Sequence, residues 1–502
     1  MSLKTYISGI RSDDLLRTAV NHIYLFQDQN GCMHAITTVG SKCSLTDVNK
    51  ETISRWLRRL FLATHHSTFS PSVIDKIAAY IIALSEDDDI PEQPYFTRVG
   101  QIEKTCYYNL GGKDQKIVVM SRDGVEIKDN ANFQICFQSA KPQVTPNLNA
   151  QPQQLIELLK PFFRLKSQED FLLLIIYITT CFICNINHPI LIFHGSEGSS
   201  KSSSVDAIGK IVDPHGTANR LTMNPDRRSM VAALSHRYFL GFDNLDVALK
   251  KWQSDLLCNA CTGGSEPMRI LYETNSLQEA NIKGCVCLNG LTVVATERDL
   301  LDRGIILELT RIPDKEYLTE EEINSRFSLV LPDILGSIFN TLYQALNMID
   351  TVKHYPRSRM QDFCKWGYCI AEVIGELGDT FSKEYALNKL KSQQEAKLPL
   401  IVDCLVSFMK YQHAWSGNMT ELRDSLWTVA KQRGYKDIQF PASASALSRL
   451  LTYYKKSLEQ EGIFYSQHSN GDRKLQIINQ NSKNSDTLKL NGGNGDNGDI
   501  SF

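Results

Sequence analysis

The feature that most constrains the fold is the run PILIFHGSEGSSKSSSVDAIGK, from Pro189 to Lys210. The apolar stretch Ile190 to Phe193 predicts a β-strand, and the residues that follow Lys201 predict a helix. A short loop of glycine and serine joins the two. Such a loop can cradle phosphates, because small residues let successive backbone N–H groups point inward at an anion. The run therefore predicts a layered α/β domain built around this turn.

Eight residues of this loop are candidate ATP-binding residues: Gly195, Ser196, Glu197, Gly198, Ser199, Ser200, Lys201 and Ser202. Gly195, Gly198, Lys201 and Ser202 occupy Walker A positions. We expect Lys201 to reach the β- and γ-phosphates and the Ser202 hydroxyl to complete the Mg²⁺ shell. Ser200 stands where the motif has glycine, so we expect some backbone strain there. The alternative is a loop without chemistry, which the flanking strand and helix disfavour.

A second apolar strand, Tyr238 to Phe242, ends in an acid. Asp243 follows it, and a carboxylate at a strand end some distance after such a loop suits Mg²⁺ coordination. The next residue, Asn244, can orient a water molecule but cannot accept its proton. Asp246 or a residue elsewhere can assist, so the sequence leaves the catalytic base open.

A third strand, Cys285 to Leu288, ends in Asn289, and Arg303 follows shortly after. The order of these elements resembles the modules of AAA+ ATPases. In those modules a polar residue at this strand end senses the γ-phosphate, and an arginine beyond it projects into the neighbouring subunit's site. The alternative for Arg303 is an ion pair at a helix end with Asp299 or Asp302, which contributes little.

The chain resembles AAA+ helicases and replication initiators of mobile genetic elements, such as pathogenicity-island Rep proteins and cassette-chromosome MCM-like helicases; phage-type helicases are more distant relatives. The resemblance covers about residues 95–480 and rests on runs such as FLGFDNLD, RDLLDRGIILEL and PDILGSIFNTLYQAL. It implies ATP and Mg²⁺ as cofactors. It also implies a homo-oligomer, a hexamer that threads single-stranded DNA through its pore. The family's catalytic roles carry over to Lys201, Ser202, Asp243, Asn289 and Arg303, with Asn244 beside them. For the second sensor arginine, Arg326 and Arg359 both stay open.

The predicted fold class is a multidomain α/β chain with an AAA+ P-loop core, an N-terminal helical and small β region, and a C-terminal winged helix. Apolar residues at helical spacing near Trp56 and in the segment 72–84 predict the first helices, and turn signals after residue 95 predict short strands. The predicted segments are a helical domain (1–90), a small β domain with linker (91–150), the ATPase domain with lid (151–350), a helical extension (351–413), a winged-helix DNA-binding domain (414–480) and a disordered tail (481–502).

Two regions carry candidate DNA-binding residues. In related motors a hairpin between the second and third core strands points into the ring pore, which makes Arg269 and Lys283 candidates. The alternative is an ordinary surface hairpin.

The C-terminal segment 411–480 holds nine Lys or Arg and six Asp or Glu. A helix predicted from Ser443 to Glu461, followed by a hairpin around Asn470-Gly471, would place a recognition helix in the major groove of an origin duplex. The candidate contacts there are Arg449, Lys455, Lys456, Arg473 and Lys474. The alternative is a winged helix that contacts only proteins.

The net charge of −2 gives no sign of a polycation, so any contact with nucleic acid has to come from local patches. The longest apolar run, Phe171 to Cys184, is too short to span a bilayer and predicts a buried helix. We expect a cytoplasmic protein without membrane contact, with its 13 cysteines as free thiols. Cys258, Cys261, Cys285 and Cys287 imitate a zinc pattern, but their positions favour core packing.

The leading functional hypothesis is an ATP-dependent ring helicase or replication initiator that translocates on single-stranded DNA. One alternative is a non-helicase P-loop remodelling or partition ATPase. Another is a DNA-binding regulator whose nucleotide site controls only its assembly. Unwinding of a forked DNA substrate separates the first hypothesis from the other two.

Overall fold

The computed structural model describes residues 12–481 except 88, 217–218, 246–248, 270–276, 296, 396–399, 433–439 and 468–473. The chain divides into two compact units, Met1–Ala396 and Lys397–Phe502. Within the described part, no helix is long and apolar enough to cross a membrane.

The first unit begins with a three-stranded antiparallel sheet that packs on helices. Its strands pair in chain order: β1 (Ile23–Gln27), β2 (Met33–Val39) and β3 (Lys42–Asp47). The helices are α1 (Ser12–Val20), α2 (Lys50–His65) and α3 (Pro71–Leu84). Helices α2 and α3 confirm the predicted spacing. The prediction of a mainly helical region is wrong about residues 23–47, because few side chains of these short strands are fully buried and their apolar alternation is weak.

A small β region follows, and it confirms the strands predicted after residue 95. It comprises β4 (Tyr95–Phe96), β5 (Val99–Ile102), β6 (Thr105–Gly111), β7 (Lys116–Ser121), β8 (Gly124–Asp129) and β9 (Cys136–Phe137). Strands β5 to β8 form an antiparallel sheet in chain order, and β4 pairs with β9.

The central α/β layer contains a five-stranded parallel sheet in the order β11-β12-β15-β10-β16. Its elements are α4 (Leu155–Leu159), α5 (Gln168–Thr180), β10 (Ile190–His194), α6 (Lys201–Val212), β11 (Arg220–Thr222), α7 (Arg227–His236), β12 (Phe239–Asp243), α8 (Lys251–Thr262), β15 (Cys285–Gly290), α9 (Arg298–Leu301) and β16 (Gly304–Glu308). A separate hairpin, β13 (Ser265–Arg269) and β14 (Leu277–Asn281), lies between α8 and β15 in the chain. Because β15 lies between β10 and β12, the carboxyl ends of all three strands meet at one edge of the sheet.

Three long helices complete the first unit: α10 (Glu320–Met348), α11 (Gln361–Gly375) and α12 (Gly378–Glu395). They pack with the apolar helix α5, which is buried as predicted, in the largest hydrophobic core. The linker before α4 lies against α10 so closely that a Cβ at Gly336 would collide with the carbonyl of Asn147. Glycine is therefore required at this crossing.

The second unit has a core of its own, which in the described residues four helices and a three-stranded sheet enclose. Its elements are α13 (Leu400–Phe408), β17 (Ala414–Gly417), α14 (Met419–Gln432), α15 (Ala444–Tyr453), α16 (Lys455–Gln460), β18 (Ile463–Gln467) and β19 (Leu475–Asn479), with strand order β17-β19-β18. The prediction of one helix from Ser443 to Glu461 is wrong, because Tyr454 leaves the helical conformation (φ −92°, ψ 14°) and Leu458 packs into the core after the break. The Asn470-Gly471 turn and residues 482–502 lie outside the described residues.

Candidate phosphate-binding site

The loop between β10 and α6 needs its glycines for close packing. A Cβ at Gly195 would collide with the carbonyl of Leu309. A Cβ at Gly198, where φ is +75°, would lie 2.5 Å from the hydroxyl oxygen of Tyr317. The backbone N–H of Ile312 also donates to the Gly198 carbonyl (3.1 Å). The segment after β16 therefore supports the loop from outside and holds its shape.

Ser200 adopts the left-handed conformation, with φ 57° and ψ 25°, at the N-cap of α6. This agrees with the strain expected at a position where the motif has glycine, and such a conformation costs a non-glycine residue about 1 kcal/mol. The next side chain, Lys201, folds back over the loop. Its Nζ donates to the carbonyls of Gly195 (2.8 Å) and Ser196 (2.9 Å). Partial burial lowers the pKa of Lys201.

Asp243 is the centre of the site, buried at the carboxyl end of β12. Its carboxylate accepts a hydrogen bond from the Ser202 hydroxyl (3.0 Å) and another from the side-chain amide of Asn289. The backbone N–H of Asn244 also donates to it (2.9 Å). The structure thus brings together the residues predicted from three separate strands.

Asn244 lies exposed in the turn after β12 with φ 55°. Asparagine tolerates this left-handed conformation better than most residues. The following N–H, of Leu245, donates to the carbonyl of Asn289 (2.9 Å), which fixes the turn on β15. Asp246, the other candidate for the base, lies outside the described residues.

These residues border a cavity of about 390 Å³. Its lining comprises Glu197, Gly198, Ser199, Ser200, Lys201, Ser202, Ser203, Asn244, Asn289, Gly290 and Leu291. The Ser202 hydroxyl, the Asp243 carboxylate and Asn289 offer the oxygen atoms that Mg²⁺ and its water shell prefer. The Oδ1 of Asn289 is buried and has no hydrogen-bond partner within the described part of the chain, so a metal-bound water could donate to it. The residues present therefore fit a Mg²⁺ ion with a phosphate ligand.

Arg303 lies in an ion pair within its own chain. Its side chain is only 10% exposed and forms an ion pair with Asp299 (2.5 Å), one turn earlier. Arg359, one of the two candidates for the second sensor, contacts the other oxygen of Asp299. Within this chain Arg303 thus forms the ion pair given as the alternative, and its role at a neighbouring subunit's site stays a prediction. Arg326, the other candidate, is exposed on α10.

The predicted hairpin is present, but its basic residues differ in position. Arg269 ends β13, next to a tip (270–276) that lies outside the described residues together with the Arg269 side chain. Lys283 lies beyond the hairpin, directly before β15, and is half-buried against Gly263. Burial lowers its pKa. The Lys283 side chain thus lies near Gly263 in this chain, and its contact with DNA in a pore stays a prediction.

Candidate DNA contacts in the second unit are only partly described. Arg449 on α15, Lys455 on α16 and Lys474 before β19 are exposed. The side chain of Lys456 and the whole of Arg473 lie outside the described residues. Tyr453, at the break between the two helices, is 79% exposed.

The structure adds one residue that the sequence did not suggest. Arg220, the first residue of β11, donates to the free oxygen of the Asp243 carboxylate (3.0 Å). Its side chain is 43% exposed. No signal marked it, because a three-residue edge strand is too short for a recognisable pattern.

A parallel sheet with a glycine-containing turn from strand to helix, and a polar cavity at its carboxyl edge, defines the P-loop class of α/β folds. Residues 156–375 match the family model of the actinomycete integrative conjugative element replication protein, RepA. Residues 401–487 match the model of the C-terminal domain of the same RepA. The two models together span more than half of the chain, and the chain belongs to this family of mobile-element replication proteins.

Solved structures that match the chain include the SCCmec type IV Cch active helicase, at 12% identity over 91% of this chain and 93% of that chain, with a TM-score of 0.47. The A form apo structure of the NrS-1 C-terminal region shares 12% identity over 92% and 98% of the two chains, with a TM-score of 0.39. JCV helicase shares 16% identity over 49% and 66%, with a TM-score of 0.24. Among curated proteins, none matches the chain. The family models therefore carry the identification.

Proposed function

We propose that this protein is an ATP-dependent ring helicase and replication initiator that translocates on single-stranded DNA and recognises an origin of its mobile element. Mg²⁺ and ATP would occupy the cavity beside Lys201. Bound Mg²⁺ would neutralise the charge that develops on the transferred phosphoryl group.

The observation that carries the proposal is the position of Asp243. Its carboxylate contacts Ser202 of the P-loop helix and Asn289 of the neighbouring strand, at the edge of the cavity that Lys201 lines. A phosphate-binding loop alone serves many functions. An acid, a hydroxyl and an amide that meet at its open end are the parts that hydrolysis of a metal-bound nucleotide requires.

Each side chain has a defined task in this mechanism. Lys201 would leave the carbonyls of Gly195 and Ser196, which it contacts now, and turn to the β- and γ-phosphates. Ser202 and Asp243 would hold the metal and its waters. Asn289 would orient the attacking water, because its Oδ1 accepts hydrogen bonds and faces no other partner among the described residues.

The finger arginine, in this proposal, is Arg298. It opens α9, which follows the Asn289 strand, and it is exposed where Arg303 is buried. An arginine supplied by a neighbouring copy would make hydrolysis depend on assembly into a ring, here taken as a hexamer. The hairpin with Arg269 would contact single-stranded DNA in the pore.

The second unit would read duplex DNA at the origin. Its order of helix, strand, helices and a terminal hairpin supports a winged helix, in which the exposed Arg449 would lie on the recognition helix. Lys455 and Lys474 would contact phosphates beside it.

Strand separation on a forked DNA tests the proposal. Lys201→Ala should abolish hydrolysis, a loss of at least about 10³ in rate, and with it unwinding, because the variant loses the amino group that would contact the β- and γ-phosphates. Lys210→Ala, on the same helix but paired with Asp206, is the matched control and should keep both activities. Wild-type protein that hydrolyses ATP but never separates strands would contradict a helicase and favour a remodelling ATPase. Unwinding by Lys201→Ala would contradict the motor site itself.

A further inference from the structure

A second concave surface lies in the N-terminal part of the first unit, away from the P-loop residues in sequence. It is a groove of about 650 Å³ between strand β3, helix α2 and the turn that joins β6 to β7. This volume lies within the range of ordinary ligand clefts. Nothing in the proposed ATPase mechanism uses it.

Four basic residues line this groove: Lys42, Arg55, Arg59 and Lys113. All four are exposed. Arg55 and Arg59 are one helical turn apart on α2 and so share a face. They meet Lys42 from the neighbouring strand and Lys113 from a turn that lies much further along the chain. The groove is thus a site that only the tertiary structure assembles.

The remaining lining contains no Asp or Glu. The carboxylate of Glu51, one turn before Arg55, pairs with it at 2.5 Å, but both side chains are largely exposed. An exposed pair of this kind is worth little, so Arg55 can exchange Glu51 for a stronger anion. An uncompensated cluster of positive charge in a concave surface attracts anions.

Neutral hydrogen-bonding groups complete the lining. Five residues contribute hydroxyl groups: Thr37, Ser41, Ser44, Thr46 and Thr52. Strand β3 pairs only with β2 in its sheet, so one of its edges borders the groove. Trp56 is 6% exposed and donates its indole N–H to the Thr38 carbonyl (3.4 Å). A buried indole gives no platform for base stacking, so this lining suits phosphates and sugars and not bases.

We propose that this groove binds the sugar-phosphate backbone of single-stranded DNA, without regard to sequence. The choice of DNA as the occupant rests on the proposed function. A cleft of this volume can take an extended strand, whereas a duplex is a convex rod that would meet only its rim. The groove would hold the displaced or incoming strand while the ATPase site drives movement.

The test is equilibrium binding of a labelled oligothymidylate to the full chain without nucleotide, at several salt concentrations. The variant Arg55→Gln/Arg59→Gln/Lys113→Gln should lower the affinity roughly tenfold at low salt and reduce the slope of log K against log[salt] by about 2, since each lost phosphate contact removes about 0.7. The matched control is Arg58→Gln, which removes an exposed arginine of the same helix that does not line the groove and should change neither quantity.

A second variant separates charge from fold. Arg55→Lys/Arg59→Lys keeps the charges and should keep most of the affinity, and thermal unfolding should show all variants equally folded, because the substituted side chains are exposed.

Unchanged affinity in the triple variant would overturn the inference and leave the groove to another partner, such as an acidic peptide on β3. Equal losses of affinity in Arg58→Gln and in the triple variant would also overturn the inference. So would a triple variant that weakens binding of duplex DNA as much as binding of the oligothymidylate. Since no nucleotide is present, failure of the ATPase or of unwinding would leave this measurement unaffected.

Discussion

The P-loop cavity and the basic groove of the N-terminal sheet both fit phosphates, but they are built differently. The cavity lies at the carboxyl edge of one parallel sheet, where a single loop and two strand ends supply every group. The groove takes its four cations from a strand, a helix and a turn. In the cavity, Lys201 lies near the buried acid Asp243, whereas the groove has no acid in its lining. An acid beside a cation can hold a metal ion while the cation holds a phosphate, and this arrangement allows hydrolysis. A group of cations without an acid can only bind the phosphate.

The two sites also differ in whether one chain supplies all of their charged groups. The groove is complete within one chain. The cavity contains an acid, a lysine and an amide, but Arg303, the residue predicted to complete a neighbour's cavity, is committed to Asp299 in its own chain.

The largest expected effect concerns the arginine that a neighbouring copy would supply to the cavity. Arg298→Ala should lower ATP hydrolysis by about 10³ at nearly normal ATP binding, because a finger arginine stabilises only the transition state. Mixing it with Lys201→Ala should restore part of the activity, since some interfaces then pair an intact P-loop with an intact finger. The measurement is ATPase rate at fixed total protein, as one variant is titrated into the other.

The matched control lies five positions further on. Arg303→Ala should instead lower the melting temperature, because it removes a buried guanidinium from a cluster with Asp299, at a cost of about 1–3 kcal/mol. If Arg303→Ala keeps the wild-type melting temperature and recovers activity when mixed with Lys201→Ala, the assignment of Arg298 is wrong.

The next effect concerns the sheet beneath the groove. His34 on β2 is buried, with Nδ1 3.0 Å from Asp47 and Nε2 3.3 Å from Asp28. Burial opposes its charge, but the two carboxylates raise the pKa of His34 to about 9. A raised pKa stabilises the folded state fully below about pH 6.5, and this contribution of about 3 kcal/mol is lost as the pH rises toward 9.

Urea unfolding of the wild type and of His34→Gln across that pH range measures this term. The difference in free energy of unfolding between the two proteins should shrink as the pH rises. A difference that stays constant would show that folding does not raise the pKa of His34. Because Asp47 ends β3, loss of the ion pair should also loosen one wall of the groove but leave the P-loop cavity intact.

The smallest effect concerns the loop itself. Ser200→Gly should leave hydrolysis unchanged and stabilise the protein by at most about 1 kcal/mol, because relief of the left-handed backbone is partly offset by glycine's greater freedom in the unfolded chain. Ser203→Gly, inside α6, is the control and should destabilise by about 1 kcal/mol. A fall in hydrolysis for Ser200→Gly, measured beside thermal unfolding, would show that the Ser200 side chain takes part in the chemistry.

Several parts of the molecule could be predicted from local sequence. The P-loop, the strands that end in Asp243 and Asn289, the buried helix α5 and the hairpin before β15 each have a pattern within one short segment. Such patterns are readable because the hydrophobic period and the turn residues act over a few positions. The family resemblance rested on the same segments, and the two family models confirm it.

The tertiary structure decided what depends on distant partners. The pairing of Arg303 with Asp299 and the position of Lys283 against Gly263 depend on burial, which no spacing reveals. Arg220 reaches Asp243 only because β11 pairs with β12. The groove exists only because a turn that carries Lys113 approaches a helix that carries Arg59. A sequence specifies periodicity within an element, but the charges that meet across elements depend on how the whole chain packs.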